Sequence, residues 1–109
     1  MLICVNYMVR TRHACLTVFC LKNIAFRDSV KTLFGRFVST DSGCIYTPEE
    51  EDAKLPVDMV SLDLRYVEFV SRAAMDEILC QADRIGCPVK LIHCKQDIRK
   101  LYHAVRKTH

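Results

Sequence analysis

Between Val60 and His93 the apolar side chains change their period twice, and that change is the tightest constraint on the fold. Val60-Ser61-Leu62-Asp63-Leu64 alternates apolar and polar residues, the period-two pattern of a strand. After a short connection, Arg65 to Val70, the residues Met75, Ile78, Leu79, Ala82 and Ile85 fall on one stripe of a helix. Ser71 is suited to cap that helix, its hydroxyl accepting from a free amide of the first turn. Asp76 and Glu77 are read as lying early in it, where the helix dipole favours negative charge. Gly86 followed by Pro88 stops it, since glycine tolerates a left-handed cap and proline cannot continue a helix. Val89-Lys90-Leu91-Ile92-His93 is the next strand. Two strands joined by a helix of this length are expected to run parallel in one sheet, because the crossover packs back on the sheet in only one hand.

The remaining segments extend this unit. Leu2 to Val9 reads as a strand, Arg10 to His13 as a polar turn, and Cys15 to Leu21 as a second β-prone run, so that the first two strands can form a hairpin. Phe26, Val30, Leu33, Phe34 and Phe37 recur at helical spacing. Residues 39–57 hold Ser, Thr, Asp, Gly and Pro with the acidic run Glu49-Glu50-Glu51-Asp52, and read as a long exposed loop. A last helix begins near Asp97, with Ile98, Leu101, Tyr102 and Val105 facing inward. The expected fold is α/β, a small mixed sheet with helices packed on it, in the order β-β-α-β-α-β-α and in one domain over 1–109.

Composition narrows the class. A chain of 109 residues fits one domain and is long enough to bury a core without staples. The seven cysteines (Cys4, Cys15, Cys20, Cys44, Cys80, Cys87 and Cys94) are odd in number. With no secretory segment evident, they argue for reduced thiols and a cytoplasmic setting rather than a disulfide framework. Met1 to Val9 is apolar but lacks the basic start and small-residue cleavage site of a signal peptide. No stretch approaches the roughly 20 apolar residues of a membrane span. The net charge is only +3, but Arg84, Lys90, Lys95, Arg99, Lys100, Arg106 and Lys107 crowd the last quarter. Such a block is usually a solvated face, and contact with nucleic acid or with an acidic protein surface is the minority reading.

The stretch VSLDLRYVEFVSRAAMDEIL, 60–79, resembles the central segment of STAS domains (sulfate transporter and anti-sigma-factor antagonist), and in particular the STAS-like branch. The strand Leu62-Asp63-Leu64, the connection Val67-Glu68-Phe69-Val70, the helix start Ser71-Arg72-Ala73-Ala74 and the continuation Met75-Asp76-Glu77-Ile78-Leu79 carry the likeness. It is close over these residues and loose elsewhere. The final strand and helix of a full STAS domain are not recognised before His109. The resemblance implies a non-catalytic regulatory module that binds another protein, such as an ATPase-type kinase, with no cofactor. The implied partner surface is Asp63, Ser71, Arg72, Asp76 and Glu77. Sigma-factor antagonists of this family carry an Asp-Ser-Ser-Gly turn whose second Ser is phosphorylated. Here Ala73 occupies that position, and Ser71, at the position of the Asp, is a displaced candidate for phosphorylation. A phosphate there would meet free helix amides, with Arg72 beside it.

Enzyme signals are weaker. His93-Cys94 followed by Arg99 is similar to the loop of Cys-dependent phosphatases. That loop needs five residues between Cys and Arg, however, and here there are four, with no glycine among them. Cys87, His93, Cys94, His103 and His109 lack the paired short spacings of a zinc site, so no metal is expected. The alternatives to a protein partner are therefore nucleic-acid contact through Arg99, Lys100, Arg106 and Lys107 of the last helix, and a phosphatase built on Cys94.

Overall fold

The computed structural model describes residues 3–19, 21–35, 38, 43–47 and 50–108. Its centre is a four-stranded mixed sheet in the order β1-β2-β6-β8. Strands β1 (Ile3–Met8) and β2 (His13–Val18) form an antiparallel hairpin. Strands β6 (Met59–Asp63) and β8 (Val89–Ile92) then add in parallel. The parallel pairing of β6 with β8 is what the intervening helix α2 (Arg72–Ile85) demands, because a helical crossover returns the chain to the same end of the sheet.

The alternation along each strand sorts the side chains between two faces. Ile3, Ala14, Leu16, Val18, Val60, Leu62 and Leu91 are buried on one face. Helices α1 (Arg27–Phe34), α2 and α3 (Gln96–Thr108) cover that face, with α1 packed on α2 and α2 on α3. The helices contribute Val30, Leu33 and Phe34 from α1, Met75, Ile78 and Ile85 from α2, and Ile98, Tyr102 and Val105 from α3. The opposite face mixes polar and apolar groups, among them Asn6, His13, Thr17, Ser61, Asp63 and Lys90 with Cys15, Met59 and Ile92.

The mixed sheet and three helices agree with the expected α/β class. Several details do not. The segment read as an exposed loop, 39–57, contains the antiparallel pair β4 (Cys44–Thr47) and β5 (Glu50–Pro56); residues 39–42, 48 and 49 lie outside the described residues. Its polar composition hid a few deeply placed groups. Ile45 is fully buried, Val57 nearly so, and Tyr46 and Leu55 pack against the core. Two further short strands, β3 (Asn23–Ile24) and β7 (Phe69–Val70), pair in parallel apart from the main sheet. Phe26 precedes α1 and is largely exposed, so it is no part of that helix's buried stripe; Phe37 lies outside the described residues.

Gly43 fixes the β4–β5 pair to the rest. Its N–H donates to the carbonyl of Ile85 at the end of α2 (2.6 Å), and its carbonyl accepts from the N–H of Val57 (2.7 Å). It adopts φ of 80°, a left-handed conformation that costs other residues about 1–2 kcal/mol. A Cβ there meets no atom within 4 Å, so the backbone alone sets the penalty. Gly43→Ala is therefore expected to lower the unfolding free energy by about 1–2 kcal/mol in urea titration, with an unchanged far-ultraviolet spectrum.

Candidate functional site

The elements of interest meet at one end of the sheet, where β6 and β8 finish and α1, α2 and α3 begin. Beyond Asp63 the chain turns through Arg65 and Tyr66. It is then pinned to the 22–25 segment. The N–H groups of Glu68 and Phe69 donate to the carbonyl of Lys22 (2.7 and 3.1 Å), and that of Ser71 donates to the carbonyl of Ile24 (2.9 Å). The start of α2 is thereby held against the start of α1.

Ser71 is the N-cap of α2, as its sequence position suggested. Its backbone is extended, and its Oγ accepts from the N–H of Ala74 at 3.0 Å. The same hydroxyl donates to the carbonyl of Ala25 at 2.6 Å. One oxygen thus satisfies a free amide of α2 and ties the helix to the strand–helix junction before α1. Arg72, next to it, is exposed. Gly86 closes the other end of α2 in the left-handed conformation, φ 79°.

The four acidic and basic groups around this start divide into a buried and an exposed set. Asp63 is only 3% exposed. Its carboxylate accepts from the backbone N–H of Arg65 (3.0 Å), from Arg65 Nε (3.0 Å) and from Arg65 Nη2 (2.9 Å). This is the local side-chain-to-backbone turn that a strand-end Asp favours. Glu77 is 7% exposed, accepts from Gln81 Nε2 at 3.1 Å, and lies 3.9 Å from both Arg27 and Lys31. Asp76 is partly exposed and bonds Arg27 at 2.6 Å. The hydrogen bond to Asp76 raises the pKa of Arg27, and the bond to Asp63 does the same for Arg65. Asp76 and Glu77 fall in the second turn of α2, not the first, so α1 rather than the helix dipole provides their positive neighbours. Glu77 is thus held against α1 beside Asp76, whereas Asp63, which alternates with Leu62, ends β6 on the open face of the sheet.

Three exposed aromatic residues outside the expected partner surface stand on the segments that lead into α1 and α2. Phe26 is 72% exposed, Tyr66 51% and Phe69 48%. Tyr66 stacks at a tilt on Phe19, with ring centroids 5.3 Å apart. These residues lie on the two segments bonded to each other at the start of α2. Phe26 was hidden because its spacing matched the α1 stripe.

The other candidates are arranged differently. Cys94 follows β8 and is half-buried and unbridged, beside His93 at a positive φ of 53°. Cys15, Cys80 and Cys87 have thiol pKa values pushed up by burial first, then by Asp63, by Asp76 and by Asp58 respectively, which keeps them protonated. On the open sheet face, His13 Nε2 lies 2.6 Å from Ser61 Oγ. Ser61 is buried, and this contact satisfies its hydroxyl. Among the described residues no group of three His, Cys, Asp or Glu side chains is placed to hold a metal ion, and no helix is long and apolar enough to cross a membrane. A cleft of about 610 Å³ opens at the far end of the sheet, between Gly86, Val89 and Tyr102, away from Ser71.

Because Ser71 Oγ makes two structural bonds, Ser71→Ala is expected to cost about 1–2 kcal/mol in chemical unfolding. Ser71→Asp, which keeps the cap acceptor but cannot donate to Ala25, is expected to recover only part of that. No protein-family model, curated protein or solved structure significantly matches this chain.

Proposed function

We propose that this chain is a STAS-like regulatory module that binds another protein through the surface around the start of α2. The observation that carries the reading is the grouping of Phe26, Tyr66 and Phe69, all substantially exposed, on the paired segments beside Ser71. Single exposed apolar residues need no explanation. Several large aromatic groups on adjoining segments, rimmed by charge, have the composition of a protein interface, whose contact centre is rich in aromatic residues and arginine. Arg27, Arg65 and Arg72 supply the rim together with Asp76.

In this reading the implied site residues take different parts. Arg72 and Asp76 touch the partner, with Ser71 at the border. Asp63 and Glu77 act by holding Arg65 and Arg27 in place. The resemblance over 60–79 suggests the partner class, a regulatory protein such as an ATPase-type kinase. Phosphorylation of Ser71 would require its hydroxyl to give up the bonds to Ala25 and Ala74, so the local structure would have to open first. No cofactor takes part.

The test is a comparison of the binding partners of the intact chain and two surface variants, each checked for native secondary structure. Tyr66→Ser with Phe69→Ser is expected to weaken capture of the partner at least tenfold, as loss of central aromatic anchors does. Ser71→Glu with Arg72→Glu is expected to weaken it too. If both variants retain every wild-type partner at unchanged affinity, this surface is not the working face.

A further inference from the structure

The solvent side of α3 carries four cations, Arg99, Lys100, Arg106 and Lys107. At 100° per residue, Arg99, His103, Arg106, Lys107 and Lys100 fall within one arc, and all five are exposed. The buried residues Ile98, Tyr102 and Val105 take the opposite side. The acidic residue of this helix, Asp97, stands in the first turn and outside the arc. Among the described residues no ion pair involves any member of the arc. Arg106 is steadied by Tyr102, its Nη1 donating to the Tyr102 hydroxyl at 3.2 Å with the guanidinium 5.8 Å from the ring centre. Apart from this contact of Arg106, no acidic side chain among the described residues neutralises the arc.

We infer that this arc is a second binding surface, independent of the α2 surface, and that it takes the phosphate backbone of a nucleic-acid duplex without reading sequence. Three observations select that occupant. Apart from the His103 imidazole the arc contains no exposed aromatic or aliphatic anchor, whereas protein interfaces have charge-depleted centres and nucleic-acid interfaces are polar and strongly positive. The apolar side of α3 is locked in the core, so it has nothing to insert into the headgroup region of a membrane. Tyr102 is buried, which removes the stacking platform that single strands require. What remains is a row of cations on a rigid helix, and phosphate contacts of this kind position a duplex without specifying its bases. Between Arg99 and Lys107 the row runs about 12 Å along the helix axis, enough to face several phosphates of a duplex.

The test is fluorescence anisotropy of the full chain with a labelled DNA duplex of roughly two helical turns. Four phosphate contacts predict an affinity that falls on the order of a hundredfold between about 50 and about 200 mM salt. Arg99→Glu with Lys107→Glu should weaken binding at low salt at least tenfold. Arg10→Glu with Lys22→Glu, an equal charge change on exposed residues outside α3, should change it less than about threefold. A second duplex of unrelated sequence should bind equally well. The inference is overturned by no duplex binding at low salt, by equal weakening in the two charge-reversal variants, or by a strong preference between the duplexes. Tighter binding to polyglutamate or to phosphatidylserine vesicles than to the duplex overturns it as well.

Discussion

Leu16, Leu62 and Leu91 lie side by side across β2, β6 and β8, each buried, and this row ties the sheet to the helices above it. Burial of each such side chain is worth about 1.5–3 kcal/mol, and it fixes register as well as stability. A slip of one residue would turn Leu62 to the open face and bring Ser61 or Asp63 under the helices. With the register set, Asp63 ends β6 at the rim of the sheet, and α2 must begin close by in order to return the chain to β8. The position of the candidate surface follows from that geometry.

The rim is stiffened by local polar bonding. Asp63 folds Arg65 back on itself, the 68–71 amides bond the carbonyls of Lys22 and Ile24, and Ser71 Oγ joins α2 to Ala25. Around these contacts the side chains of Tyr66, Phe69 and Phe26 remain largely exposed. Acidic residues of α2 face α1, where Arg27 and Lys31 meet them. Charge on that side is consumed internally, whereas the charge on α3 is not. The two regions therefore differ in kind, one carrying exposed aromatic rings beside arginines, the other the exposed Arg99, Lys100, Arg106 and Lys107.

Much of the scaffold was legible in the residue order. The period-two run at 60–64, the Ser71 cap, the Gly86 stop and the inward stripe of α3 all read directly from spacing and side-chain chemistry, because each rests on contacts within a few residues. The hairpin of β4 and β5 did not. Its strand character comes from Ile45 and Leu55 meeting the core and from Gly43 bonding Ile85, contacts that span tens of residues and leave no local periodicity. Asp63 and Glu77 were singled out as surface groups because acidic side chains are usually exposed. Arg65 and Gln81, which bond them, stand only two and four residues away, whereas Arg27 and Lys31 reach Glu77 from α1 across a separation that no local pattern records.

Amide hydrogen exchange reports on whether the start of α2 is held as a rigid platform. If the β7 segment and Ser71 are held as described, the N–H groups of Glu68, Phe69, Ser71 and Ala74 exchange slowly, with protection approaching that of Leu62 in β6. Exchange of those four amides at the rate of an unstructured peptide, while Leu62 stays protected, would mean that the segment is not pinned and that no fixed surface exists there.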